Sequence, residues 1–124
     1  MLNTRSLKAL NGVHPDLVAV VHKADELTEL PFILTEGLRS VERQKMLVAK
    51  GLSQTMRSRH ITGHAVDFAP LVAGEVSWKT PAFFPIIEAF KAAGLALGTP
   101  IESGGDWHTF KDYQHIQLPW SSYP

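Results

Sequence analysis

A chain of 124 residues fits one domain, 1–124, long enough to bury roughly two-thirds of the surface its unfolded form exposes. Lys+Arg and Asp+Glu balance at 12 each, which removes any global electrostatic argument for nucleic acid or an anionic membrane surface. Cysteine is absent, so disulfides and thiolate metal sites are excluded, and any metal site would have to use His, Asp or Glu.

No apolar run approaches the ~20 residues of a bilayer-spanning helix. The first six residues lack the apolar centre of a signal peptide. The expectation is synthesis in the cytoplasm, no membrane insertion, and release by some other agent if the work is done outside.

Residues 1–13 read as an entry segment that packs Leu7, Leu10 and Val13. His14-Pro15-Asp16 then opens a helix, with proline at its first position and Asp16 complementing the dipole. Leu17, Val20, Val21, Ala24 and Leu27 recur at three- and four-residue spacing, so one face is buried to about Thr28. His22, near the middle of this helix, reads as a surface or core-edge residue. Pro31–Glu36 is short, apolar and β-prone, a strand. Gly37 lets the chain turn and Arg39 follows. Ser40 caps a helix from Val41 to about Lys50, with Gly51 as its stop.

Leu52 to Arg59 reads as loop. Ala65–Ala69 is the next strand, stopped by Pro70, and Leu71–Lys79 is a connection. Thr80-Pro81 opens a long helix with Phe83, Ile86, Ile87 and Phe90 on one face, Pro85 disturbing its first turn and Gly94 ending it. Leu95–Leu97 is expected to be a strand, and His115–Leu118 alternates like the last one. Helices that precede and separate short strands predict an α+β fold with a small, mostly antiparallel sheet.

The chemistry concentrates in two stretches. Ser58 to Asp67 supplies an imidazole, His60, and a carboxylate, Asp67, seven residues apart across a turn that Gly63 permits. His60 and His64 are four apart, but Ile61 and Thr62-Gly63 rule out the helical His-Glu-x-x-His zinc motif, and His64 reads as a structural hydrogen-bonding residue. The second stretch, Asp106 to His115, adds His115 and, three residues before it, the spare carboxylate Asp112. His108 in the same stretch reads as exposed or supporting. Two histidines and one carboxylate leave a fourth position open, as catalytic zinc requires. Asp112 is then the base that takes a proton from water and returns it to the leaving amine. Arg39 is placed to stabilise an oxyanion or hold a substrate carbonyl or carboxylate.

Ser58-x-His60-x-x-Gly63-x-Ala65-x-Asp67 resembles the signature of the D-alanyl-D-alanine carboxypeptidase/dipeptidase (VanY-like) zinc peptidases, and Asp112-x-x-His115 resembles their closing element. Gly37-Leu38-Arg39-Ser40 with Glu42-Arg43-Gln44 is similar to the upstream segment that carries a substrate-contacting arginine. Within that family, the compact length and Gly104-Gly105-Asp106-Trp107 look most like the L-alanyl-D-glutamate peptidases of phage endolysins. The resemblance implies an LAS-type metallopeptidase fold with a zinc site in a surface cleft. It implies zinc on His60, Asp67 and His115, Asp112 as base, and Arg39 and Ser58 toward substrate. It also implies a monomeric enzyme acting on the peptidoglycan stem peptide between L-Ala and D-Glu. Gln114-His115-Ile116 stands where the family often has Pro-His-Phe, and Leu38 where an aromatic is common, departures that bear on substrate fit. Two alternatives remain at this stage: cleavage of D-Ala-D-Ala instead, or a non-catalytic zinc module that binds wall peptide.

Overall fold

The computed structural model describes residues 2–53 and 55–124. The elements in chain order are α1 (Thr4–Ala9), α2 (Pro15–Leu27), β1 (Phe32–Glu36), α3 (Val41–Ala49), β2 (Ala65–Val72), β3 (Glu75–Val76), α4 (Thr80–Leu97), β4 (Glu102–Ser103), a 3-10 turn at Gly104–Asp106, and β5 (His115–Gln117). All strand pairs are antiparallel, in the order β1-β2-β5-β4, with β3 on the far half of β2.

One face of the sheet is apolar. Phe32 and Leu34 of β1, Val66 and Phe68 of β2, and Ile116 of β5 join Leu17, Val20 and Val21 of α2 and Phe83, Ile86 and Phe90 of α4 in one buried cluster. Phe68 is central, with ring centroids 5.5 Å from both Phe83 and Phe90 and 6.0 Å from Phe32. Because side chains alternate along a strand, the residues between these point the other way. Those residues are Asp67 on β2 and His115 and Gln117 on β5, and Asp67 pairs directly with His115. One strand periodicity thus makes the core on one face and a polar site on the other.

β1 lies at the edge of the sheet, and α1 covers it. Leu34 N–H donates to the Ser6 hydroxyl at 2.9 Å, and that hydroxyl in turn donates to Asn3, the cap of α1. A paired edge cannot recruit another strand.

Three expectations are corrected. Leu95–Leu97 is the last turn of α4. Gly94 does not stop that helix but sits inside it, because a Cβ there would lie 2.7 Å from the Thr99 carbonyl oxygen. The stop is Gly98, left-handed at φ 67°, whose N–H reaches back to the carbonyls of Gly94 and Leu95. Second, β2 runs through Pro70 to Val72. Phe68 N–H makes the neighbouring bond on that side, to Gln114, so the ring nitrogen of Pro70 faces a side where β5 has already ended. Third, Leu71–Lys79 is not a plain connection. A two-residue turn at Ala73-Gly74, φ 53° and 81°, folds β3 back on β2. Within the entry segment, Leu10 and Val13 are buried but Leu7 is exposed, as is Leu27 at the end of α2.

Candidate metal centre

His60 lies in the turn between α3 and β2, and two backbone contacts hold that turn. Gly63 has φ 76°, and a Cβ there would come within 2.3 Å of the Gly12 carbonyl oxygen. The Gly63 carbonyl accepts from His14 N–H at 2.8 Å, and the His60 carbonyl accepts from Arg39 N–H at 2.9 Å. The turn is therefore clamped between the segment before α2 and the segment before α3. His115 is set by its strand, and Gly104 shapes the chain before it: a Cβ on Gly104 would meet the Asp112 carbonyl oxygen at 2.3 Å and His115 Cβ at 3.1 Å.

The three expected ligands are brought together. His60, Asp67 and His115 are all buried, and one ligand atom from each lies within 4.8 Å of the others. His60 Nδ1–H donates to the Gly37 carbonyl at 2.8 Å, since a carbonyl can only accept, and this leaves Nε2 facing Asp67 Oδ1 at 3.0 Å. His115 Nε2–H donates to Gln117 Oε1 at 2.7 Å, which leaves Nδ1 facing the same Asp67 oxygen at 3.2 Å. Two imidazole lone pairs and a carboxylate oxygen thus converge on one point. Only a proton or a cation reconciles three acceptors there.

This donor set fits zinc. It offers two nitrogens and one oxygen, the ligand types zinc takes in open catalytic sites. Each ring is oriented by a hydrogen bond on its far nitrogen, the usual support for a metal-bound histidine. Without a cation, protons fill the gap. Burial pushes the His115 imidazole down, but the hydrogen bond and charge of Asp67 outweigh it and raise its pKa. Burial alone would raise Asp67, yet the hydrogen bonds from His115 and His60 hold it well below the ordinary carboxylate range.

Asp112 lines the same cleft. Burial, reinforced by the negative charge of Asp67, raises its pKa, while His115, His60 and Arg39 pull the other way. A carboxylate held above its ordinary value is a better proton acceptor near neutrality. Ser58 also lines the cleft, and its hydroxyl accepts from the backbone N–H of His60 at 3.2 Å.

Arg39 borders the cleft but is largely engaged within the protein. Its Nε donates to Glu36 Oε1 at 2.5 Å, Nη2 pairs with the same carboxylate, and Nη1 donates to Gln44 at 2.7 Å. Its Nη2 lies 3.7 Å from Asp67 Oδ2. Gln44 is fully buried in α3, and its amide also donates to Ser53 and to the Thr55 carbonyl, tying the loop ahead of Ser58 to Arg39. Gln44 enters the sequence reading only within the Glu42-Arg43-Gln44 resemblance, with no role of its own, and Gln117 is not singled out. Gln117 was within reach of it, because residues two apart on a strand share a face.

The other histidines stay apart from the centre. His22 and His108 are exposed. His64 pairs with the Thr62 hydroxyl at 2.7 Å and lies against His14 and Tyr123. Burial, with the charges of Arg59 and His14, lowers its pKa.

The cleft over the centre has a volume of about 870 Å³, room for a peptide segment. Trp107 forms part of its wall, 5.2 Å from the His115 ring and anchored by Glu102 at 2.7 Å. Trp120 forms another part, with the Arg59 guanidinium 4.0 Å from its ring centre.

Comparison with known proteins places this geometry in a family. Residues 1–118 match the phage L-alanyl-D-glutamate peptidase family. The L-alanyl-D-glutamate peptidase of Escherichia phage T5 is 36% identical over 122 residues, covering 95% of this chain and 88% of that protein. The enzyme of the same name from Listeria phage A118 is 31% identical over 123 residues, covering 97% of this chain but 43% of the longer phage protein. The crystal structure of the Serratia marcescens L-Ala D-Glu endopeptidase ChiX superposes with a TM-score of 0.94 at 46% identity, covering 100% of this chain and 94% of that one. The chain belongs to the phage L-alanyl-D-glutamate peptidase family.

Proposed function

We propose that this protein is a zinc-dependent peptidoglycan hydrolase of the endolysin type, cleaving the stem peptide between L-Ala and D-Glu. The observation that carries the reading is the convergence of His60 Nε2, His115 Nδ1 and Asp67 in a cleft that Asp112 also lines. The family membership supplies the scissile bond.

His60, Asp67 and His115 would hold the zinc, which when bound would supply Lewis acidity toward water and the scissile carbonyl. Asp112 takes the proton of the attacking water. Its raised pKa suits it to return that proton to the leaving amine of D-Glu. Arg39, through Nη2, keeps Asp67 oriented and offers its remaining N–H groups to the carbonyl oxygen of the substrate as charge grows there. Ser58 fixes the backbone at His60 and presents a polar group to the bound peptide. The substrate is the wall itself, so the protein acts after reaching the periphery of the cell.

The test is mass spectrometry of purified peptidoglycan digested with zinc-loaded protein, beside a chelated control. New free amino groups on D-Glu, absent from the control, are the expected result. Loss of terminal D-Ala would make it a carboxypeptidase, and no cleavage despite bound zinc would make it a binding module.

A further inference from the structure

The cleft carries four arginines, and three of them have hydrogen-bond acceptors within the protein. Arg39 is taken by Glu36 and Gln44. Arg43 donates from Nε to Glu36 Oε2 at 2.7 Å. Arg59 is buried, with Nε and Nη2 on the carbonyl of Leu118 and Nη2 also on that of Tyr123. Arg57 differs. It lines the cleft and is exposed, and its guanidinium has no carboxylate partner among the described residues.

Its position is nonetheless defined. The backbone N–H of Arg57 donates to the Thr55 hydroxyl at 2.9 Å, and the guanidinium carbon lies 5.2 Å from the Trp120 ring centre. An aromatic face orients a guanidinium without using its N–H donors. The planar fork therefore remains available for a carboxylate. Arg57 is three residues before His60, so their Cα atoms are at most about 11 Å apart. Arg57 and His60 line the same cleft, so the guanidinium is placed to meet a peptide bound over the centre.

The chemistry of that bond supplies a matching group. The scissile nitrogen is attached to the Cα of D-Glu, and the wall peptide continues from the γ-carboxyl. The α-carboxylate on the same Cα is therefore left free, on the leaving side of the bond.

We propose that Arg57, braced on Trp120, is a specificity residue that binds the free α-carboxylate of D-Glu in the substrate. The proposal rests on the endopeptidase reading above and adds to it how the leaving side is recognised. Wall peptides whose α-carboxylate is amidated are then poor substrates, because the amide keeps the shape and loses the charge.

The experiment compares two synthetic peptides, L-Ala–γ-D-Glu–L-Lys and its D-isoglutamine counterpart, with the zinc-loaded full chain. The carboxylate peptide is expected to have the higher kcat/KM, through KM, by on the order of tenfold, the size of one charge-assisted hydrogen bond. Arg57→Gln should bring the carboxylate peptide down to the value of the amide peptide, and Arg57→Lys should keep part of the preference. Zinc content and melting temperature should match the parent, since the side chain is exposed. Equal rates on both peptides with the parent protein would overturn the proposal, as would Arg57→Gln lowering both in proportion. Failure to cleave either peptide between Ala and Glu would instead overturn the endopeptidase reading, and this proposal with it.

Discussion

Glu36 stands directly opposite Asp67 across the β1–β2 ladder, where a regular register would set Thr35. The irregularity between Leu34 and Glu36 is a β-bulge. Without it, strand alternation would turn Glu36 toward the apolar face beside Val66. With it, the two carboxylates lie side by side on the cleft face and Arg39 reaches both, pairing with Glu36 and lying 3.7 Å from Asp67 Oδ2. Glu36 also holds Arg43, so a single carboxylate anchors the start of α3 against the sheet.

Glu36→Gln tests this arrangement. The substitution removes the charge that fixes a nearly buried guanidinium, while Gln44 still holds Nη1. A stability loss of about 2 kcal/mol is expected from losing a hydrogen bond between charged groups. None of the three expected ligands is touched, so zinc content should stay at one per chain while turnover falls. Denaturant unfolding, metal analysis and peptidoglycan turnover check it together. Unchanged turnover would leave Arg39 without a need for its anchor.

Much of this arrangement was legible before the structure. The spacing of Leu17, Val20, Val21 and Ala24 marks the buried face of α2, and all four are buried. The two polar stretches that contain His60, Asp67 and His115 are visible as chemistry, and their convergence follows from one antiparallel register. What was not legible depends on close approach or on partners far along the chain. Gly94 reads as a helix stop by propensity, whereas its role is to let the Thr99 carbonyl come near. Pro70 reads as a strand breaker, whereas its nitrogen faces a side where no donor is required. The bulge at Thr35 and the buried amide of Gln44 leave no periodic trace at all.

Asp112 and His115 separate into two roles under substitution. Asp112→Asn keeps the shape and removes the proposed base, so zinc should remain bound and turnover should fall by about 10²–10⁴-fold. His115→Ala removes a proposed ligand, so zinc should be lost along with activity. Metal analysis of the two purified variants, paired with peptidoglycan digestion, distinguishes these outcomes. An Asp112→Asn protein with parental turnover would assign the base elsewhere.

Gln117 is expected to tune the metal without touching it. Its Oε1 accepts from His115 Nε2 at 2.7 Å and so selects the ring tautomer that leaves Nδ1 free. Gln117→Leu keeps the volume and removes the acceptor. Zinc affinity should drop by about 10–100-fold, the size of effect that partners of metal-bound histidines have. Competition with a zinc-binding dye measures it, and equal affinity would show that strand packing alone orients the ring.

The metal-free protein should lose stability as pH rises, opposite to its affinity for zinc. The pKa of His115 is raised in the folded state from an ordinary 6.5, with Asp67 overcoming burial, so its contribution is fully present below about pH 6.5 and disappears as pH passes the raised value. Asp67 has the opposite sign: its pKa is depressed from 3.8, so its contribution is present above about pH 4 and is lost only in strong acid. Asp112, whose pKa is raised, adds a cost once it ionises, which again favours the acidic side. The chelated protein should therefore be most stable between about pH 4 and 6.5 and melt at progressively lower temperature toward pH 8.5. Zinc bound at the proposed site would displace the His115 proton, so the gain in melting temperature on adding zinc should grow over the same interval. Thermal melts of chelated and zinc-loaded protein at matched pH test both trends. A gain independent of pH would mean that no proton leaves the site when the metal enters.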